Sequence, residues 1–154
     1  MTRFAALFTV LLLALVPVAC GGSDDAPSRA EFVKNAEQIC ADAAKQLNDL
    51  GKATTPEQVA DQLDKVIDET QKSVDDLTDL ERPEGDAGEA AKKFVDALEA
   101  DIEDEGIPAL EKLRDAIKDK DTKGAQQAYQ ELAAIQTTDS DKLAKELGAD
   151  GCAD

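Results

Sequence analysis

The chain has 154 residues, and its 34 Asp and Glu against 17 Lys and Arg give a formal net charge of −17 at pH 7. A surface of this sign repels nucleic-acid phosphates, so we expect no nucleic-acid partner. Hydrophobic residues make up 42% of the chain but aromatic residues only 3%, and there is no Trp. A core of Ala, Leu, Val and Ile with few Gly and Pro favours an all-α fold over a small β-sandwich.

The chain lacks the residue types on which most cofactor and catalytic sites depend. It has no His, and its only Met is the initiator, so haem, di-iron and Cys/His zinc sites lose their usual ligands. Nucleophilic catalysis loses its usual base, and neither a G-x-S-x-G elbow nor a Gly-rich phosphate loop occurs. We therefore expect no enzyme, no cofactor and no metal. A buried carboxylate pair in a cleft would be the observation that favours catalysis.

Residues 1–19 have the pattern of a signal peptide. Met1, Thr2 and Arg3 form a short basic start, and residues 4–16 form an apolar run of about 13 residues, which is too short to span a bilayer. The run ends at Val18-Ala19-Cys20, which a Gly/Ser/Asp segment follows. A Cys at this junction needs an explanation, because the chain holds three cysteines and one of them must remain without an intramolecular partner.

The junction resembles the lipobox of bacterial lipoproteins, in which the Cys receives a diacylglyceryl group and becomes the mature N-terminus. Ala19 and Gly21 fit this pattern, whereas Pro17 stands where the family usually has Leu. The resemblance implies lipid attachment at Cys20, with acyl chains such as palmitate, and makes residues 20–27 a flexible tether. The alternative is a secreted protein with a spare thiol at Cys20.

Cys40 and Cys152 are the two cysteines that remain. The signal segment places them outside the reducing cytosol, so we expect a disulfide between them. Such a bond closes a loop of more than 100 residues, for which the chain-entropy model gives about 4–5 kcal/mol of stabilisation. The alternative, a reactive thiol, lacks both a CxxC motif and a His that would activate it.

Residues 28–154 are predicted to form a helical bundle domain, whose first helix begins at a capping box. Ser28 and Glu31 have the S-x-x-E spacing, and apolar residues then recur every three or four positions to about residue 51. Cys40 lies on this apolar face, which agrees with a buried disulfide. The face consists of Phe32, Ala36, Ile39, Cys40, Ala43, Leu47 and Leu50.

The second helix is predicted to begin at Thr55 as N-cap, with Pro56 at the first helical position. Gln58 is placed to close a second capping box. The helix is expected to end before Pro83, in a segment of turn-forming residues. Its apolar stripe consists of Val59, Leu63, Val66, Ile67, Thr70, Val74, Leu77 and Leu80.

The third helix is predicted to open near Asp86 and to continue past Pro108, because the helical phase is unchanged there. We expect a proline kink rather than a loop. A turn at residues 119–122 leads to a fourth helix with Gly148 as its C-cap and a polar patch, or a break, at residues 137–140. The two apolar stripes are Ala91, Phe94, Val95, Leu98, Ile102, Leu110, Leu113 and Ile117, then Ala125, Ala128, Tyr129, Leu132, Ala133, Ile135, Leu143 and Leu147.

Four amphipathic segments joined by short turns predict an up-down-up-down four-helix bundle, here stapled by one disulfide. In such a bundle the first helix lies beside the fourth. The chain that leaves the fourth helix at Gly148 must then run back to bring Cys152 to Cys40 in the middle of the first helix. The sequence does not show whether so short a segment spans that distance.

The ends of the chain resemble a group of small, alanine-rich, largely uncharacterised lipoproteins of actinobacteria. The resemblance rests on the lipobox, on Phe32-x-x-x-Ala36-x-x-Ile39-Cys40, and on Leu147-Gly148-x-x-Gly151-Cys152. It covers nearly the whole mature chain, but only the cysteine-bearing ends are specific. It implies a helical fold, a disulfide between the two ends and a location in the cell envelope. It implies no known activity.

One segment has the spacing of a calcium-binding loop. Asp119, Asp121 and Gly124 match an EF-hand, but Lys123 and Gln130 replace two anionic ligands. We therefore interpret the segment as a capped helix–helix turn.

Acidic residues also recur at helical spacing. By helical phase, the ridge on the second helix faces away from its apolar stripe, and a second ridge lies on the third helix. We interpret both as solvated faces, although two adjacent ridges could hold divalent cations weakly. The ridges are Asp61, Asp64, Asp68, Asp75 and Asp79, then Asp96, Glu99 and Glu103.

These patterns together predict a lipid-anchored helical bundle on the extracytoplasmic face of the cell membrane. We expect a non-enzymatic binding or scaffold module, with the membrane as a partner through its lipid and an envelope protein as a possible second partner. The alternative is a lipoprotein that binds a small molecule or a divalent cation. A cavity lined by Thr70 and Tyr129, or stabilisation by metal, would favour that alternative.

Overall fold

The computed structural model describes residues 26–50, 52–135 and 137–153, without the side chains of residues 46, 47, 49, 50 and 138. These ranges are all-helical and contain no strand, so the predicted all-α class is confirmed. No helix within them is both long and apolar enough to cross a membrane. The elements are α1 (Arg29–Leu50), α2 (Pro56–Asp79), α3 (Gly85–Ala100), a π-helical segment (Asp101–Gly106), α4 (Ile107–Lys118), α5 (Thr122–Ala134), α6 (Thr138–Leu147) and a 3₁₀ segment (Asp150–Cys152).

The capping signals start α1 and α2 where they were predicted. The Glu31 amide donates to Ser28 Oγ at 3.2 Å, and the Ser28 amide donates to Glu31 Oε2 at 2.9 Å, which completes the capping box. Thr55 caps α2 by accepting from the Gln58 amide at 3.2 Å. The Gln58 side chain bonds to Thr54 instead of Thr55. The predicted second box is therefore only half formed, because the reciprocal bond goes to the preceding residue.

The third predicted helix is continuous from residue 85 to residue 118, without a loop at Pro108, and a π-helical turn precedes the proline. Within this turn the Ile107 amide donates to the Ile102 carbonyl, five residues back. Pro108 has no amide proton, and its ring crowds the carbonyl four residues earlier. A wider turn before the proline relieves that crowding, and Gly106 keeps ordinary right-handed helical angles. The helix therefore passes the proline without a loop.

The fourth predicted helix is divided into α5 and α6, and this division corrects its predicted apolar stripe. Ala128 is buried and Leu132 is half-buried, but Tyr129 is 64% exposed and Ala133 is exposed. α5 ends at Ala134, so its buried side does not have to continue into α6. Its packing on α4 determines which of its side chains are buried. Tyr129 therefore lies on the outside of the helix.

The helices enclose two groups of buried apolar side chains. α2 packs against α1 and α4, α4 packs against α5, and α3 packs against α6. One group joins α1, α3 and α6, with Leu77 of α2, around Phe32 and Phe94. The other joins α2 and α4 around Leu63 and Leu110. The predicted stripes of the second and third helices are buried or half-buried throughout. Burial of these aliphatic side chains supplies most of the favourable free energy of folding.

Gly88, near the start of α3, lies against the connection from α2. A Cβ atom at this position would lie 2.0 Å from the carbonyl oxygen of Pro83, which is itself buried. Gly106 differs, because a Cβ there would meet its nearest neighbour, the Asp101 carbonyl oxygen, at an ordinary 3.6 Å. The close approach of α3 to the α2–α3 connection therefore depends on a residue without a side chain.

We predict that Gly88→Ala destabilises the protein by about 1–3 kcal/mol, because backbone must move to admit the methyl group. Gly106→Ala is the matched control and should raise the free energy of unfolding by about 0.5–1 kcal/mol, since Ala is the better helix former. Urea unfolding followed by circular dichroism measures both changes. Equal stability of the two variants would contradict the prediction.

Candidate functional site

The candidate site lies where the last described residues contact α1. Cys40 and Cys152 form a disulfide with a Cα–Cα distance of 5.3 Å across 112 positions of sequence, as predicted. Both cysteines are half-buried, and they pack against the group of buried side chains that contains Phe32 and Ala36. The bond fastens the end of the chain to the middle of α1.

The short return from α6 to Cys152 begins with a reversal at Gly148. Its φ of 82° lies in the left-handed region, which glycine enters without steric cost. The Ala149 amide then donates to the Ala144 carbonyl at 2.8 Å, which closes the end of α6. Ala149 and Ala153 are buried, and the 3₁₀ segment between them carries Cys152 back to α1. Gly148 is therefore the predicted C-cap, and the intervening residues do span the distance.

Three further hydrogen bonds, which the sequence did not predict, hold this end of the molecule. Arg29 Nε donates to the Leu147 carbonyl at 3.0 Å, and its Nη2 donates to the Glu146 carbonyl at 2.8 Å. A guanidinium at the carboxyl end of a helix also interacts favourably with the helix dipole. The Gly151 amide donates to Glu37 Oε1 at 3.1 Å. These partners lie more than 110 residues apart, so no local pattern signals them.

One buried polar contact joins the π-helical turn to α6. Ser140 is the one buried polar side chain among the described residues, and its Oγ donates to Asp101 Oδ2 at 2.6 Å. The Thr137 carbonyl lies 3.0 Å from the same Oγ. Because a hydroxyl carries one proton, these two acceptors share one donor. The contact joins α6 to the third helix through Asp101, whose side chain is half-buried.

The predicted acidic ridge on α2 faces solvent, and Asp64 within it also pairs with α4. Asp61, Asp68, Asp75 and Asp79 are exposed, whereas Asp64 pairs with two cations of α4. Its oxygens lie 2.8 Å from Lys118 Nζ and 3.3 Å from Arg114 Nη1. The Asp64 side chain is 42% exposed, so it remains in contact with solvent while it pairs with α4. Packing of α2 on α4 brings that position over basic residues of the neighbouring helix.

The pKa shifts of Glu31, Asp64, Asp115 and Arg114 all favour the charged form of the group. The hydrogen bond from Lys118 is the largest cause that lowers the pKa of Asp64 below its ordinary value. The hydrogen bond from Arg114 likewise lowers the pKa of Asp115, and the same bond raises the pKa of Arg114. Hydrogen bonds from Ser28 lower the pKa of Glu31 in the capping box. Groups held in their charged form in this way stabilise helix contacts, whereas an acid catalyst needs a raised pKa.

The segment that resembles a calcium loop is a capped turn, as predicted. α4 ends at Lys118, and Asp121 caps α5 by accepting from the Gly124 amide at 3.0 Å. Lys120 between them has a φ of 58°, the left-handed conformation that often terminates a helix. Over the described ranges, no group of three or more Cys, Asp or Glu side chains is arranged to hold a metal ion.

Two concave surfaces stand out between the helices. A polar groove of about 280 Å³ lies between α1 and α2, with Ile39 and Ala43 beside charged side chains of both helices. A more apolar cleft of about 390 Å³ lies where the start of α2 meets the α4–α5 turn. Neither contains Thr70 or Tyr129, and the exposure of Tyr129 excludes it from a cavity in the core. Thr70 and Tyr129 therefore do not form the cavity that would favour small-molecule binding.

The remaining predicted site residue, Cys20, lies outside the described residues. The signal segment 1–19 and the tether up to residue 25 also lie outside them. Lipid attachment at Cys20 therefore stays a prediction. No protein-family model matches the chain, and neither a curated protein nor a solved structure is found to be similar to it.

Because the disulfide closes so long a loop, we predict that its reduction lowers Tm by several degrees, on the basis of a stabilisation of about 4–5 kcal/mol. Differential scanning calorimetry with and without reductant measures the change. Cys152→Ser is the control and should show the lowered Tm without reductant and no further response to it. An unchanged melting curve after complete reduction, verified by mass, would contradict the stabilising role of the disulfide.

The pairing of Asp64 predicts a dependence of stability on pH. Since the pKa of Asp64 is lowered in the folded state, its contribution is present above about pH 4 and is lost as pH falls through the folded pKa. Asp64→Asn should therefore lower Tm at pH 7, and this difference should close in acid. Asp68→Asn, on an exposed position of the same helix, is the control and should not lower Tm at pH 7. A Tm of Asp64→Asn at pH 7 that is no lower than that of Asp68→Asn would contradict the pairing.

Proposed function

We propose that this protein is a non-enzymatic binding or scaffold module, held by an N-terminal lipid at the extracytoplasmic face of the cell membrane. Cys20 is the attachment residue in this proposal, residues 1–19 are the signal that is removed, and residues 20–27 form the tether. The chain resembles small alanine-rich lipoproteins of actinobacteria at both of its cysteine-bearing ends, and this resemblance supports the same location.

The observation that carries the proposal is the disulfide between Cys40 and Cys152. Structural disulfides persist in oxidising compartments and are rare in the cytosol, so this bond supports export of the chain. It also accounts for two of the three cysteines and leaves Cys20 as the odd one. A Cys at the end of an apolar run, followed by a Gly/Ser/Asp segment, then has lipidation as the simplest explanation.

The position of α1 supports a short tether. α1 begins at Arg29, so eight residues separate it from Cys20. Eight extended residues reach at most about 28 Å, which holds the domain near the membrane without embedding it. The net charge of −17 would keep the acidic domain off an anionic lipid surface. The acyl chains would then provide the attachment, because two or three of them bind a membrane stably.

The non-enzymatic part of the proposal rests on the charged groups that the structure describes. The carboxyl groups with shifted pKa values, Glu31, Asp64 and Asp115, all have lowered values from hydrogen bonds to neighbours. The half-buried carboxylate of Asp101 accepts from Ser140 and has a role in positioning α6. With no His in the chain, this arrangement is typical of a structural or binding domain.

In this proposal the topology is an up-down-up-down four-helix bundle in which α5 and α6 together form the fourth helix. Contacts of α4 with α5 and of α3 with α6 support an antiparallel course of the last two helices along the third. The hydrogen bond from Arg29 to the carbonyl at the end of α6 supports the placement of the fourth helix beside the first. The bundle would then present its two ends as separate functional surfaces.

An intact-mass measurement of the protein, extracted mildly from its native membrane with and without reductant, tests the proposal. We expect the mass of residues 20–154 plus acyl groups, with a gain of two hydrogens on reduction. The Cys20→Ser variant is the control and should carry no acyl mass while keeping the disulfide. A mature chain without lipid would contradict the anchor and make this a secreted protein, and an unprocessed chain with three free thiols would contradict export as well.

A further inference from the structure

α5 is held to the rest of the protein by a small apolar interface. Within this helix, which the structure describes in full, Ala128 is the one buried residue, whereas α2 has six buried residues and α3 has three. Gly124, Ala125 and Leu132 are half-buried, and the remaining residues of α5 are exposed. Since the free energy of burial is roughly proportional to the apolar area removed from water, α5 gains less from packing than α2 does.

α5 packs chiefly against one neighbour, α4. A Cβ atom at Gly124 would lie 3.4 Å from the Ala116 Cβ, so the two helices meet there through small residues. Further along, Glu131 pairs with Lys112 at 2.9 Å, and both side chains are more than half exposed. This is the one ion pair or side-chain hydrogen bond that joins α5 to another helix within the described ranges. An exposed pair of this kind adds little to the attachment.

The second group of buried apolar side chains does not depend on α5. From α5 it receives only the half-buried Leu132, at its edge. Asp64 adds ion pairs between α2 and α4. Loss of α5 would therefore leave the packing of α2 on α4 in place. The buried members of the group all lie on α2 and α4, and they are Leu63, Val66, Ile67, Ile107 and Leu110.

Both neighbours of α5 in the chain are held in place independently of it. α4 is continuous with α3 through the π-helical turn, and the contact between Ser140 and Asp101 joins α6 to that turn. Two hydrogen bonds from Arg29 to the carbonyls of Glu146 and Leu147 join α6 to α1, and we call them the Arg29 clamp. None of these contacts involves a residue of α5. The helix therefore lies between two fixed parts of the chain.

The two ends of α5 define it as a separate helical unit. Asp121 caps its start, after the left-handed Lys120 that follows the end of α4. At its end, Ile135 has a ψ of 129°, so the helix stops after Ala134. α5 has 13 residues, and an isolated helix of about that length is only marginally stable in water. Separation of α5 from α4 would therefore cost α5 its helical hydrogen bonds as a unit, without unwinding α4 or α6.

We propose that α5 is a lid, which opens from α4 and closes on it as one cooperative unit while the other helices stay folded. Opening uncovers the side of α4 that carries Lys112 and Leu113, each three or four positions from Ala116 and hence on its face. Segments with few buried apolar contacts open at lower free energy than the core of the same protein, and lids are drawn from such segments. The proposal goes beyond the proposed function and does not depend on the lipid anchor.

Native-state hydrogen exchange, followed by NMR, measures this opening amide by amide. The test uses the full chain with Cys20→Ser, so that reductant acts only on the bond between Cys40 and Cys152. Ala128→Gly weakens α5, and Ala91→Gly in α3 is its matched control, because both alanines are buried inside a helix. Reduction of the disulfide gives the same comparison without a substitution, since it loosens the protein far from α5.

We expect the amides within α5 to share one protection factor, at least roughly tenfold below those of α2 and α3. Ala128→Gly should lower the protection of all α5 amides together, by roughly fivefold, because Gly is a poorer helix former than Ala. Ala91→Gly should lower the protection of α3 amides by a similar factor and leave that of α5 unchanged, because the lid opens without unfolding α3. Reduction should likewise lower protection in α3 and not in α5.

Four results would overturn the proposal. Protection in α5 equal to that in α3, or a fall in α5 with Ala91→Gly or with reduction, would mean that α5 opens only when the whole protein unfolds. Protection that declines gradually toward the ends of α5 would indicate fraying instead of one unit, and no protection at all would mean that α5 does not close on α4. Each result leaves the intact-mass test unaffected, so failure of the lid and failure of the anchor are distinguishable.

Discussion

The bond between Cys40 and Cys152 fixes where the end of the helical chain lies on α1, because it joins the middle of α1 to the 3₁₀ segment that follows α6. The end of α6 must lie close enough to α1 for the return, and Gly148 must reverse the chain there. The buried Ala149 and Ala153 fill the space that this return creates. Without the bond, a short terminal segment would have little other than two alanines and a few hydrogen bonds to hold it in place.

The abundant charge of the protein contributes less to its stability than the bond and the apolar core do. Exposed ion pairs such as Lys112 with Glu131 and Lys142 with Glu146 each contribute about 0–1 kcal/mol at most. Asp64 has a better position, since it joins α2 to α4 through two cations. The remaining carboxylates act chiefly on solubility and on the long-range repulsion of other anions.

The two ends of the bundle differ in chemistry, and this difference organises the proposed function. One end carries the disulfide, the Arg29 clamp and the start of the chain's helical part, all of which resist movement. The other end has a capped turn, the unpaired ammonium of Lys120 and the apolar cleft. If the proposed tether at the start of α1 is correct, the end that carries the α4–α5 turn would face away from the membrane.

Local patterns in the sequence determined the helical class, the capping box at Ser28 before α1, the C-cap at Gly148 and the pairing of the cysteines. Caps and helical periodicity depend on residues that are close in sequence. The cysteine pairing follows by elimination once Cys20 is assigned to the signal junction. The sequence left open whether the fourth helix breaks near residues 137–140. The tertiary structure decided that division, the exposure of Tyr129, the pairing of Asp64 and the hydrogen bonds from Arg29. Each of these depends on which neighbouring helix a side chain meets. That information lies in contacts between residues far apart in the chain, where helical period alone carries no signal.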